Sequence, residues 1–166
     1  MKQIIVSLAA LLFAVGLHAQ NTDEVKGFQW GLSARYDWYM MSSSQVTANL
    51  SAGYRFNRQN YLGLQGGYGP FVDSRGFRRF AIPILLDYMH YYPMGNSDRH
   101  SVYVGVEAGA LIHHNIYTDG RTYTYASFFP SGKVGLDLDL KKGLPHLTVG
   151  AQVNIWGLGA TLGVVF

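Results

Sequence analysis

The chain has 166 residues, enough for one domain behind a short N-terminal segment. Its 13 Lys and Arg stand against 10 Asp and Glu, spread along the chain, so the charge does not point to nucleic acid. Cysteine is absent, which excludes disulfides, thiol catalysis and Cys-based metal sites. Glycine and tyrosine are abundant while Lys and Glu are few, a composition for strands and tight turns rather than helices.

Met1-Lys2-Gln3, the apolar run Ile4 to Leu17 and then His18-Ala19-Gln20 read as a cleavable signal peptide. The run is shorter than the about 20 residues a membrane span needs, so an uncleaved anchor or a buried core helix is the lesser alternative. The expectation is a signal at 1–19, cut after Ala19, and a mature domain at 20–166. No Cys follows the run, so it is not a lipoprotein signal. No later stretch reaches about 18 uninterrupted apolar residues, so no transmembrane helix is expected there.

From residue 26 onward the dominant period is two. Phe28, Trp30, Leu32, Ala34, Tyr36 and Trp38 alternate with Gln29, Gly31, Ser33, Arg35 and Asp37. Val46 to Phe56 repeats the pattern, and Asn57-Arg58-Gln59-Asn60 makes a polar turn. A third strand is expected from about Tyr61 to Gly69 with a loop from Pro70 to Gly76, and a fourth from about Phe77 to Tyr91. Pro83 falls inside the fourth, where a bulge or local defect is expected. Pro93 to Arg99 is a turn. The fifth strand carries Val102, Val104, Val106, Ala108 and Ala110, and Ile112 to Thr124 reads as the longest loop. The sixth runs from about Tyr125 to Leu140, with a turn at Lys141 to Pro145. The seventh carries Leu147 to Ile155 and the eighth Leu158 to Phe166, joined by a tight hairpin at Trp156-Gly157. Eight successive strands without helices between them predict an all-β fold, an eight-stranded antiparallel up-and-down barrel.

Alternation alone also fits a soluble, lipocalin-like barrel. Three features favour a membrane barrel. Gly31, Gly53, Gly63, Gly67, Gly105, Gly109, Gly135, Gly150, Gly159 and Gly163 all share the polar face, as a crowded interior requires. Phe28, Trp30, Tyr54, Phe56, Tyr61, Tyr88, Tyr91 and Tyr92 read as one aromatic rim. Trp38, Tyr39, Tyr68, Phe71, Phe77, Tyr123, Tyr125, Phe128 and Trp156 read as the other. The chain also ends on a strand whose last residue is Phe166.

With the N-terminal signal, these features resemble the small outer-membrane β-barrel family of the OmpA and OmpX size class, over nearly the whole mature chain. The resemblance implies that Leu162, Gly163, Val164 and Phe166 form the C-terminal signal read by the barrel-assembly machinery. It implies both termini in the periplasm, with turns near 57–60, 93–99 and 141–145 there. Loops near 39–44, 70–76, 112–124 and 156–157 then face outside.

The inward face carries Arg35, Asp37, Arg55, Arg79, Asp87, Glu107, Lys133, Asp137 and Asp139. Charges in a narrow interior must be paired or hydrated, so a cross-barrel ion-pair network filling the lumen is expected. Arg55, Asp87, Asp137 and Asp139 are placed toward the periplasmic end, and Arg35, Glu107 and Lys133 nearer the middle.

His113-His114 with Asp119 is the one cluster worth weighing for metal or acid–base work, but adjacent residues on an extended segment point opposite ways. They read as exposed loop histidines, and His90 and His100 as residues of the lipid–water boundary. Ser42, Ser43, Ser44, Asp73 and Ser74 show no spacing diagnostic of an enzyme, and neither GxSxG nor HExxH occurs. Tyr117, Tyr123, Tyr125 and Arg121 are weighed as a sticky loop tip against ordinary interfacial aromatics. The expectation is a structural or interaction barrel without catalysis, cofactor or metal. Its partners are outer-membrane lipid, the assembly machinery and an extracellular ligand at 112–124. A small-solute or ion channel and a lipid-modifying enzyme are the alternatives.

Overall fold

The computed structural model describes residues 27–40, 43–72, 78–95, 100–140 and 144–166. The predicted signal at 1–19 lies outside them, as do Ser42, Asp73, Ser74 and Phe77. The strands are β1 (Gly27–Tyr39), β2 (Ser43–Arg55), β3 (Asn60–Val72), β4 (Arg78–Pro93), β5 (His100–Ile116), β6 (Thr122–Leu138), β7 (His146–Asn154) and β8 (Gly157–Val165). Each pairs antiparallel with the next, and β8 pairs back onto β1, which closes the barrel.

The register fixes the tilt. A walk from Gln29 across paired residues passes Gly53, Gly63, Asp87, Glu107, Ser131, Asn154 and Gly157. It returns to β1 at Tyr39, ten residues beyond its start. With about 3.3 Å per residue and about 4.7 Å between strands, that stagger tilts the strands by roughly 40° and leaves an interior that side chains fill.

The pleat then sorts the residues. Leu32, Leu64, Ile84, Leu86, Val106, Val134, Val153 and Leu162 face outward and are exposed, while Arg35, Asp37, Asp87, Glu107 and Asp137 are buried inside. A monomer in water rarely exposes an apolar patch beyond a few hundred Å². An apolar belt around a closed barrel fits hydrocarbon instead, which excludes the soluble, lipocalin-like alternative.

The ten glycines of the polar face point inward, and at two places the reason is direct. A Cβ at Gly53 or Gly63 would overlap the Tyr61 ring, and one at Gly135 or Gly150 would overlap the Tyr103 ring. Large inward rings fill the space beside glycines of their own and neighbouring strands.

Four expectations need correction. Pro83 makes no bulge: the β3–β4 register is the same on both sides of it, and only the pairs at 67–68 and 82–83 are missing from the ladder. On the other side Pro83 keeps its place opposite Leu111. The missing N–H therefore opens a gap without slipping the register. Pro70 lies inside β3, not in a loop, with a similar ladder gap toward β2. Residues 112–124 are not a long loop. β5 and β6 pair from His100–Leu138 up to Ile116–Thr122, and only residues 117–121 turn the chain. Finally, Tyr39, Tyr61, Phe71, Tyr91, Tyr125 and Trp156 do not belong to outer rims. Tyr39, Tyr61 and Tyr91 are buried in the barrel, and the other three pack at its mouth. Phe28, Tyr54, Phe56, Tyr88 and Tyr92 remain exposed toward one end, and Trp38, Tyr68 and Phe128 toward the other.

Closure extends to the last residue. Phe166 N donates to Trp30 O at 2.8 Å and Trp30 N donates to Phe166 O at 3.2 Å. Their rings stack with centroids 4.2 Å apart, which buries Trp30.

Candidate functional site

The lumen gathers the buried polar chemistry. Glu107 is its hub: Arg35 Nη1 donates to Glu107 Oε2 at 2.9 Å and Lys133 Nζ to Glu107 Oε1 at 3.2 Å. Ser131 Oγ adds a bond to Oε2 at 3.1 Å. Arg35 Nε donates to Asp37 Oδ2 at 2.9 Å, and Lys133 Nζ to Asp87 Oδ2 at 2.6 Å. Gln152 Nε2 donates to Asp37 Oδ1 at 2.6 Å and Asn154 Nδ2 to the same oxygen at 3.3 Å, which ties β7 to β1.

Asp87 therefore belongs to this central cluster and not to the barrel end where it was expected. The cause is register: Asp87 on β4 lies directly opposite Glu107 on β5. Like charges so placed repel, and Lys133 bridges them.

Arg55 and Asp137 sit apart, at the end where β1 begins and β8 finishes. Arg55 Nη1 is 3.8 Å from Asp137 Oδ2, its Nη2 donates to Arg58 O at 2.6 Å, and its Cζ lies 4.0 Å from the Tyr91 ring centroid. His146 Nδ1 lies 3.1 Å from Asp137 Oδ1. Tyr61, Tyr91, Tyr103 and Met89 fill this end. Asp139 lies just beyond the last residue of β6, outside the central cluster. Arg79 is at the opposite mouth, where its Nε donates to Asn115 Oδ1 at 3.3 Å and its Cζ lies 4.6 Å from the Phe71 centroid.

Above the central charges, toward that mouth, Ala81, Leu85, Leu111 and Phe129 form an apolar plug packed by Phe71 and Trp156. The Arg35 guanidinium carbon lies 4.9 Å from the Phe129 ring centroid, so the plug seats directly on the charges. Sequence reading missed this layer. Strand parity carried through Asp87 would have placed Leu85 and Ala81 inward, and parity through Lys133 would have done the same for Phe129.

No family model matches the chain, and no curated protein sequence does. Solved structures do. Neisserial surface protein A (NspA) superposes with a TM-score of 0.65 at 13% identity, covering 84% of this chain and 94% of that one. The N-terminal β-barrel domain of Pseudomonas aeruginosa OprF gives 0.56 at 15% identity, covering 85% and 99%. Ail, the attachment invasion locus protein of Yersinia pestis, gives 0.56 at 12% identity, covering 87% and 100%. The fold is that of the small outer-membrane β-barrels.

Within this outer-membrane barrel fold, the residues weighed for catalysis are scattered. His113 points inward and is buried, while His114 points outward and lies 2.8 Å from Thr124 Oγ1. Both belong to β5, and neither is an exposed loop residue as expected. His113 Nε2 lies 2.9 Å from Ser127 Oγ, a pairing the sequence reading did not find. Its Nδ1 has no hydrogen-bond partner among the described residues, so the pair lacks the third group that would orient the ring. Asp119 is engaged with Arg121 in the turn, Nε to Oδ2 at 2.6 Å, a bond that holds the exposed Asp119 carboxyl below its usual pKa. Among the described residues no three His, Asp or Glu side chains gather as a metal site. His90 does sit on the outer face, its Nδ1 2.8 Å from Asn60 Oδ1, beside Tyr88 and Tyr92.

Proposed function

We propose that this chain is an integral outer-membrane protein with a structural or interaction role and a lumen closed by its own side chains. One observation carries the reading. The Arg35–Glu107–Lys133 cluster and the Ala81, Leu85, Leu111 and Phe129 plug stack in series across one narrow interior. The charged residues of the lumen, Arg35, Asp37, Arg55, Arg79, Asp87, Glu107, Lys133, Asp137 and Asp139, act in this reading as filling and not as a transport path.

Residues 1–19 are the signal peptide and 20–166 the barrel domain, with both termini in the periplasm. Leu162, Gly163, Val164 and Phe166 are read by the assembly machinery, lipid contacts the outer belt, and an extracellular ligand is met at 112–124. Ail has also been solved with the heparin analogue sucrose octasulfate, which supports a ligand-binding role for barrels of this form.

Purified protein in planar bilayers is expected to give no steady unitary current, and steady current from the unmodified barrel would overturn the plugged reading. Incubation with labelled lipopolysaccharide or phospholipid is expected to give no product; product formation would make it an enzyme. Fractionation to the outer membrane with heat-modifiable gel migration is the outcome that placement there requires.

A further inference from the structure

β6 is taller than its neighbour on one side. Ser131 pairs with Asn154, the last residue of β7, and the chain then turns at Ile155-Trp156 into β8. Residues 122–130 of β6 still pair with β5, but among the described residues no strand lies on their other flank.

The hairpin turn fixes which backbone groups that flank carries. Tyr117 N donates to Arg121 O at 2.9 Å, and Gly120 N to Tyr117 O at 3.0 Å. Residues 117 and 121 are therefore a hydrogen-bonded pair, and in an antiparallel ladder such pairs alternate with non-bonded ones. The register is unbroken from Ile116–Thr122 down to His100–Leu138. Residues 123, 125, 127 and 129 accordingly aim N–H and C=O at β5, while Thr122, Thr124, Ala126 and Phe128 aim theirs at the open flank. Pro130 has the same parity and stands at the foot of this edge, beside the last β6–β7 pair. Its ring leaves no N–H to satisfy at the level nearest the apolar belt.

The edge carries no charge. From Thr122 to Gly132 the chain has no Lys, Arg, Asp or Glu, the residues that commonly blunt an open edge. Thr122 to Phe128 are Thr, Tyr, Ala, Ser and Phe, mostly strand formers. Thr122, Thr124, Ala126 and Phe128 are exposed on the outer face. Tyr125 and Ser127 face a mouth cavity of about 500 Å³, which Ile155 and Trp156 also line.

We propose that this edge takes up an extended polypeptide segment of another protein, paired with β6 where a longer β7 would lie. A row of N–H and C=O groups repeating at every second residue is matched by another main chain. One side of the added strand stands beside Thr122, Thr124 and Ala126. The other lies beside Tyr125 and over Ile155 and Trp156, so the segment alternates polar β-branched and apolar residues. This names the class of partner for the interaction role proposed above, and rests on that role.

The test uses the complete purified barrel in detergent and a fluorescein-tagged peptide, acetyl-Thr-Val-Thr-Phe-Thr-Val-Thr amide, followed by anisotropy. Saturable binding is expected, with none to barrel-free micelles. Ala126→Pro removes an edge N–H and none of the β5 ladder, so it should fold and bind the peptide about tenfold more weakly or worse. Ala126→Val keeps that N–H and should bind as the unmodified barrel does. Heat-modifiable migration reports folding. Ser127→Pro does take an N–H from the β5 ladder and should destabilise the barrel; equal destabilisation by Ala126→Pro would reverse the parity and overturn the proposal. So would a lack of saturable binding, or unchanged binding by folded Ala126→Pro. Binding that survives Ala126→Pro but is lost on replacing the exposed Tyr123 by serine lies on hairpin side chains; the interaction role then stands and edge pairing falls. A barrel that sediments as a dimer, and as a monomer with Ala126→Pro, has a second copy on the edge, which overturns the assignment to another protein.

Discussion

Replacing Lys133 by methionine should cost far more stability than replacing Glu107 by glutamine, although each breaks the same contact. The central cluster holds two cations, Arg35 and Lys133, against three carboxylates, Asp37, Asp87 and Glu107. Glu107→Gln leaves two of each, with Arg35 still on Asp37 and Lys133 still on Asp87 at 2.6 Å. Glutamine has one acceptor oxygen, so it keeps a weakened bond from one cation and turns its amide N–H to the other, a loss of about 1.5–3 kcal/mol. Lys133→Met leaves three carboxylates with one cation, and strands Asp87 opposite Glu107 with nothing between them. Two like charges about 5 Å apart repel by roughly 3 kcal/mol at an effective dielectric of about 20. Removing one partner of a buried pair costs about 3–5 kcal/mol in all. Adding Asp87→Asn to Lys133→Met should recover a large part of that loss, because it removes the stranded charge. Reversible urea unfolding of the refolded barrel in lipid vesicles, followed by tryptophan fluorescence and by gel migration, reads all three variants. A Glu107→Gln loss equal to or above that of Lys133→Met refutes the charge accounting. So does a double variant no better than Lys133→Met alone.

Val106→Arg places a charge outward at the middle of the apolar belt and should cost about 2–4 kcal/mol by the same unfolding assay; a silent substitution means that this face does not meet lipid. Thr148→Arg lies on the inner face opposite Gly163 and should fail by crowding in any solvent. Gly63→Ala should destabilise by about 1–3 kcal/mol through overlap with the Tyr61 ring. Tyr61→Ala in the same chain should relieve most of the overlap, and strictly additive losses would show that the two do not touch. Deleting Phe166 removes its two backbone bonds and ring stack with Trp30. It should lower both in vitro stability and the amount assembled in cells. Assembly that falls no further than stability would remove the case for a separate assembly signal.

Alternation of side chains is a local property of extended backbone, so it was legible in the chain before any partner was known. It marked eight strands, the two faces of each, the inward glycines and the charged residues that share the inner face. Sequence had no access to height within the barrel. That quantity comes from the register of eight ladders and the ten-residue stagger at closure, and each depends on strands far apart in the chain. Asp87 was therefore assigned to the wrong level, although its face was right. The inward aromatics were missed for a related reason. A tyrosine near a strand end looks the same whether it anchors in lipid or lies over inward glycines, as Tyr61 and Tyr103 do. Composition likewise made 112–124 resemble a loop, because its polar residues break the apolar pattern. Paired as ladder, those residues raise one wall of the barrel, and the cavity at its mouth is a product of that height, which no local pattern records.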